Sequence, residues 1–248
     1  MHVLVLQHIS IEHPGMFRDL WAEGGHTWSA VEIDAGESIP AFDGFDLMVA
    51  MGGPMDVWQE REHPWLIPEK AAIRRWVKDL ERPFLGICLG HQLLADALGG
   101  KVTKMARPEV GVVDIDLTPN GLTDRLLAGC QDRFEALQWH GAEISVLPPG
   151  GRALATNAAS QFQAICWGKY AYGFQYHIEI TATTASEWSA VPEYKAALDR
   201  TLGAGGAARL ERHVADSLPK FWASVRHMNQ NLTEIVASAS QSLVRTRS

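Results

Sequence analysis

The chain has 248 residues, 46% of them hydrophobic and 21% charged, with a formal net charge of −7, enough for one large α/β domain or one domain with a helical extension. The acidic balance, with basic residues scattered rather than clustered, argues against a nucleic-acid partner, and no apolar stretch reaches the roughly 18 residues of a membrane span. Three widely spaced cysteines form neither a disulfide framework nor a zinc spacing, which favours a reducing, cytoplasmic location and no metal.

In chain order, "MHVLVLQHIS" carries a five-residue apolar run without a basic flank and reads as a first strand rather than a signal peptide. Further strands are expected in "SAVEID", "FDLMVAM", "RPFLGIC", "VGVVDIDL", "QAICW" and "YGFQYHIEI". Between them, "HPWLIPEKAAIRRWVKDL" spaces Leu66, Ile73, Val77 and Leu80 as a helix does, with Pro68 early, where a helix tolerates it. "GHQLLADALGG" puts Leu93, Leu94, Ala97 and Leu98 on one stripe before a Gly-Gly stop. Strands alternating with helices predict an α/β fold: a mainly parallel central sheet flanked by helices on both faces. From Gly111 to Tyr176 strand follows strand, which predicts antiparallel additions at one edge.

After Ile180 the pattern changes. Leu210, Val214, Leu218, Phe221, Val225, Met228, Leu232 and Ile235 trace one helical face. Pro219 predicts a kink there, or two helices with Ser217 or Asp216 as the second cap. The expected division is a catalytic domain over 1–180 and a helical extension over 181–248, packing on that domain or joining a second copy of the chain. The last residues, "SASQSLVRTRS", read as frayed.

The chemistry is concentrated in a few segments. Gly86-Ile87-Cys88-Leu89-Gly90 is a G-x-C-x-G pattern directly after an apolar strand and before an amphipathic helix, the setting of a nucleophile elbow. There the helix N-terminus lowers a thiol pKa and favours thiolate, and the Leu89 backbone N–H can face an oxyanion. Cys130 and Cys166 lack this setting and read as packing residues. A thiolate needs a base and the base an orienter. In "YGFQYHIEI", His177 and Glu179 are two apart on a predicted strand and so share a face. By itself this pair is a general base with its orienter, a satisfied surface pair, or two metal ligands lacking a third.

Together these segments resemble the class I, triad-type glutamine amidotransferase family, in particular the amidotransferase part of guanylate (GMP) synthase. "GICLGHQLLADALGG" is similar to that family's nucleophile segment and "GFQYHIEI" to its His-x-Glu segment, and "MVAMGGPMDVW" to its oxyanion loop. The resemblance implies a flavodoxin-like topology, with Cys88 as nucleophile, His177 as base and acid, and Glu179 as orienter. It implies Gly53 and Leu89 N–H groups as the oxyanion hole and Gln92, Trp139 and His140 as substrate-binding residues, with no cofactor. Two departures stand out: Ile178 replaces the family's usual proline, and Ala142 precedes Glu143 where relatives carry an acid directly after the glycine.

The implied reaction releases glutamate and ammonia from glutamine through a γ-glutamyl thioester, the ammonia passing to a separate synthase. The alternative is a stand-alone hydrolase of γ-glutamyl peptides or conjugates. A non-catalytic binding module would tolerate damage to the triad, and an α/β-hydrolase would place the acid before the histidine in chain order.

Overall fold

The structure, a computed structural model, describes residues 1–245, with side chains through Gln241. Nine strands form one sheet: β1 (His2–Gln7), β2 (Thr27–Glu32), β3 (Leu47–Ala50), β4 (Phe84–Ile87), β5 (Lys101–Leu117), β6 (Arg133–Val146), β7 (Gly151–Thr156), β8 (Ala164–Trp167) and β9 (Ala171–Phe174). Their order is β2-β1-β3-β4-β9-β8-β7-β5-β6. The five strands from β2 to β9 pair in parallel; beyond β9 every pairing is antiparallel. The expected mixture of a parallel centre and antiparallel edge strands is therefore present.

The parallel strands are apolar without interruption because both of their faces are covered. In β1, Val3 and Val5 join one core with Phe17 and Trp21 of α1 (Met16–Glu23). Leu4 and Leu6 point the other way and pack with Ile73 of α2 (Leu66–Arg74) and Leu93 and Leu94 of α3 (Leu89–Ala97). Burying each such side chain contributes about 1.5–3 kcal/mol, so the two-residue period of the strand fixes which helix sits on which face.

Several boundaries differ from the sequence expectation. β5 begins at Lys101 and pairs along most of its length with β6. The "YGFQYHIEI" strand ends at Phe174, so His177 and Glu179 lie beyond it; only an isolated bridge to Leu137 holds His177 beside β6. The helix expected through Leu80 loosens after Arg74 into a wider turn over Arg75–Asp79, where Leu80 N–H reaches the Arg75 carbonyl at 3.0 Å. The buried indole of Trp76 donates from there to the Pro83 carbonyl at 2.7 Å, tying the turn to the start of β4.

The chain ends in α4 (Thr184–Ser189), α5 (Pro192–Leu202) and α6 (Gly206–Arg245). The apolar stripe of α6 is spent within the chain: Leu210, Val214, Phe221, Val225, Met228, Leu232 and Ile235 are buried in the same core as β6 and α1, with Leu218 half-buried. Of the two expectations at Pro219, the division into two helices is absent: α6 runs through the proline as one helix. Packing of the stripe on both sides of the proline outweighs the lost hydrogen bond, which costs about 3 kcal/mol. Ser217, a candidate cap, instead points its hydroxyl at Glu135, 3.5 Å away. The frayed end expected over 238–248 is helical through Arg245; its last three residues lie outside the described residues. No helix among the described residues is long and apolar enough to cross a membrane.

Candidate active site

Cys88 stands between β4 and α3 with φ 51° and ψ −104°, a left-handed conformation rare for a residue with a side chain. The flanking glycines are sterically required. A Cβ on Gly86 would lie 2.3 Å from the Gly90 carbonyl oxygen, and one on Gly90 would lie 2.0 Å from that of Ala50. The strain is held by backbone bonds: Cys88 N–H donates to the Phe174 carbonyl at 2.7 Å, and Gly90 N–H to Met51 at 3.0 Å. The elbow thus ties together β4, β9 and the end of β3.

Behind the sulfur, His177 Nδ1 and Glu179 Oε1 are 2.7 Å apart and both side chains are buried. They meet although no strand aligns them. Glu179 Oε2 accepts from the Ile178 N–H at 3.0 Å, and the Glu179 carbonyl accepts from Met16 N–H at the start of α1. Gly15 makes that approach possible, since a Cβ there would overlap the same carbonyl. The His177 ring stands edge-on to Trp188 of α4, 4.7 Å between centroids. Burial alone would lower the His177 pKa, but Glu179 and Cys88 raise it well above the usual imidazole range.

The Cys88 thiol departs from expectation. Burial pushes its pKa up, and the neighbouring His177 only partly offsets this; desolvation outweighs the helix dipole. The His177 ring is the polar group that faces the buried sulfur and favours its ionised form. Burial pushes Cys130 and Cys166 both to about 11, the latter even though the Arg152 guanidinium donates to its sulfur at 3.4 Å. Gln175 approaches the Cys88 sulfur with its amide nitrogen at 3.6 Å.

A pocket of about 310 Å³ opens over Cys88, and Gly53, Leu89, Gln92, Trp139 and His140 all line it. The Leu89 N–H is the first of α3 and has no carbonyl partner within the helix. The three candidate substrate contacts are also held by the protein itself. Gln92 donates from its amide nitrogen to the Ala142 carbonyl at 3.1 Å and to Gln175 Oε1 at 3.0 Å. Trp139 donates to the Tyr194 carbonyl at 3.1 Å. His140 is held between the Ala142 carbonyl, at 2.9 Å, and Glu109, at 3.1 Å.

Sequence reading missed the groups behind the Gly52–Gly53 loop and the roof of the pocket. His8 Nδ1 lies 2.9 Å from the Gly52 carbonyl and Nε2 lies 2.8 Å from Glu69. Glu12 is buried beside Gly52, where a Cβ would strike Glu12 Oε2 and stand 3.3 Å from His177 Cε1. Burial raises the Glu12 pKa to about 7. Its Oε1 accepts a short hydrogen bond from the Tyr194 hydroxyl, which pins α5 over the site. Glu193, Tyr194, Ala197 and Arg200 of α5 complete the pocket wall. The "QH" after β1 and the acid four residues on were visible, but nothing local tied them to Cys88.

Comparison with known proteins agrees with this architecture. Residues 21–189 match the family model for class-I glutamine amidotransferases. A glutamine amidotransferase-like protein of Salmonella typhimurium is 34% identical over 73% of this chain and 77% of its own length. One subunit of the glutamine-hydrolysing GMP synthase of Sulfolobus acidocaldarius is 34% identical over 62% of this chain and 78% of its own. A glutamine amidotransferase from Thermotoga maritima superposes with a TM-score of 0.83 and 28% identity, over 95% of this chain and 98% of that one. The chain belongs to the class-I glutamine amidotransferase family.

Proposed function

We propose that the chain hydrolyses γ-glutamyl amides, glutamine among them, through a thioester on Cys88. The observation that carries this reading is the buried line from the strained cysteine to His177 to Glu179. Cys88 Sγ attacks the γ-carboxamide carbon as its proton moves to His177, and Glu179 stabilises the imidazolium. The oxyanion is met by the N–H groups of Gly53 and Leu89. His177 returns the proton to the leaving nitrogen, then activates a water that opens the thioester to glutamate. Gln92, Trp139 and His140 shape the pocket wall that positions the glutamyl part.

Two observations of different kinds bear on what happens to the nitrogen. The likeness to a GMP synthase subunit favours release of ammonia to a separate synthase. The roof formed by α5 favours a second reading, a stand-alone hydrolase of γ-glutamyl conjugates, because α5 supplies charged side chains to the pocket from within the chain. Glutamate release from glutamine and from γ-glutamyl dipeptides, measured for the purified chain with and without candidate synthases, tests the shared chemistry. Turnover that vanishes in Cys88→Ser supports it, and turnover that persists in this variant overturns it. A rise in glutamine hydrolysis only when a synthase is present selects the first reading.

A further inference from the structure

The pocket over Cys88 continues outward. Lys104, Pro108, Gly141 and Arg200 line it and also line an adjoining cavity of about 630 Å³, which adds Arg107 and Thr201. The cavity exists because β5 leaves its register with β6 between Lys104 and Glu109, bulging towards the last turn of α5. Its charged lining is wholly cationic: Lys104, Arg107 and Arg200. Among the described residues none of the three forms an ion pair, although the chain as a whole is acidic. Lys104 also feels the Asp56 carboxylate of the adjoining pocket, yet the excess of cations around the cavity favours an anion among them.

We propose that this cavity receives an anionic group on the amine that leaves, so that the preferred donor is a γ-glutamyl amino acid or peptide with a free carboxylate. The proposal rests on the Cys88 reading above and names the substrate class for it. The Sγ–C bond forms as the C–N bond breaks, and the amine departs with the proton that His177 took from Cys88. Water then opens the thioester and reprotonates the sulfur, giving glutamate and the free amino acid from donor plus water. Guanidinium groups suit a carboxylate because each presents paired donors.

The test compares γ-glutamylalanine with γ-glutamylalaninamide, which has the same skeleton without the charge. The expected kcat/KM ratio is about five- to tenfold in favour of the carboxylate, as a few exposed cations supply, and it shrinks at high salt. In Arg107→Ala/Arg200→Ala the ratio falls towards one, and in Arg107→Lys/Arg200→Lys part of it remains. Equal turnover of the two donors, or an unchanged ratio in the alanine variant, overturns the cavity assignment alone. No turnover of either donor or of glutamine overturns the Cys88 reading with it.

An independent observation concerns the oxyanion loop. A carbonyl only accepts, so the 2.9 Å contact means that His8 Nδ1 carries a proton and donates it to Gly52. In a trans peptide the C=O and the following N–H point in opposite directions. Holding the Gly52 carbonyl towards His8 therefore turns the Gly53 N–H towards the pocket that Gly53 and Cys88 share. We infer that His8, backed by Glu69, is a positioning residue for the oxyanion hole. Both side chains are fully buried, and the Trp65 ring stacks on the imidazole at 5.5 Å. Burial alone would lower the His8 pKa, but Glu69 reverses this and raises it.

With sites counted by electrophile labelling of Cys88, His8→Leu is expected to lower kcat about tenfold per active site with KM little changed, below the cost of deleting an oxyanion donor outright. His8→Gln, which keeps a donor, should recover part of the loss. An unchanged kcat per labelled site in His8→Leu, or a loss of the same size in His8→Gln, overturns the role.

Discussion

Two buried histidine–glutamate pairs flank Cys88, alike in distance and unlike in what they face. His177 and Glu179 are 2.7 Å apart, with the ring beside the sulfur; His8 and Glu69 are 2.8 Å apart, with the ring on a backbone carbonyl. In each, the carboxylate overcomes the desolvation that burial imposes on imidazole. The free nitrogen of the first pair meets a thiol, the geometry that the proposed proton relay needs. The second cannot cycle, because both of its nitrogens are already committed. Chemistry in this site is therefore set by the third partner of each histidine rather than by the pair.

Breaking the first pair should have the largest effect. His177→Asn removes the proton acceptor, and kcat is expected to fall about 10³- to 10⁴-fold in steady-state glutamate release. Glu179→Gln keeps the ring roughly in place while removing the charge that supports the imidazolium. A loss of about 10²-fold is expected, milder than for a serine enzyme because a thiol is the more readily ionised nucleophile. A Glu179→Gln variant as inactive as His177→Asn would show that orientation, not charge, is its main contribution.

Glu12 sharpens the contrast, since it lies between the pairs without joining either by a hydrogen bond. Its native pKa of about 7 exceeds that of an ordinary carboxyl. The unfolded chain thus loses this proton first, and the group costs stability as pH rises from about 4.5 to 7. Glu12→Gln is expected to become more stable relative to the parent across that window, measured by denaturant unfolding, by up to about 3 kcal/mol at neutral pH.

The last effect, on stability rather than turnover, concerns His91, which lies in the first turn of α3 and which burial holds neutral, with a pKa of about 3. Here the unfolded state binds the proton first, so the contribution is complete above pH 6.5 and fades as pH falls towards 3. Replacing it by Gln should flatten acid unfolding in that range, by about 1 kcal/mol per pH unit at most, without abolishing turnover.

The same contrast explains what the sequence could reveal. The elbow was legible because Gly86, Cys88 and Gly90 are neighbours and each answers to a local steric demand. His177 and Glu179 were also found, though through a strand that ends three residues too early; the real alignment comes from Leu137, Met16 and the Ile178 N–H. His8 and Glu69 are 61 residues apart, and Tyr194 and Glu12 are 182 apart. No periodicity links such positions, and only the folded sheet with α5 over the pocket brings them together. Pro219 illustrates the converse, a local helix-stop signal overruled by a buried stripe on either side.

The central claim is that His177 makes the buried Cys88 nucleophilic. Residue-resolved labelling with a glutamine-mimicking electrophile, in the parent and in His177→Asn, tests it most directly. Rapid modification of Cys88 in the parent, with Cys130 and Cys166 untouched and the reaction all but lost in the variant, is the expected result. Labelling of Cys88 at the same rate in both proteins, or preferential labelling of either other cysteine, would contradict it.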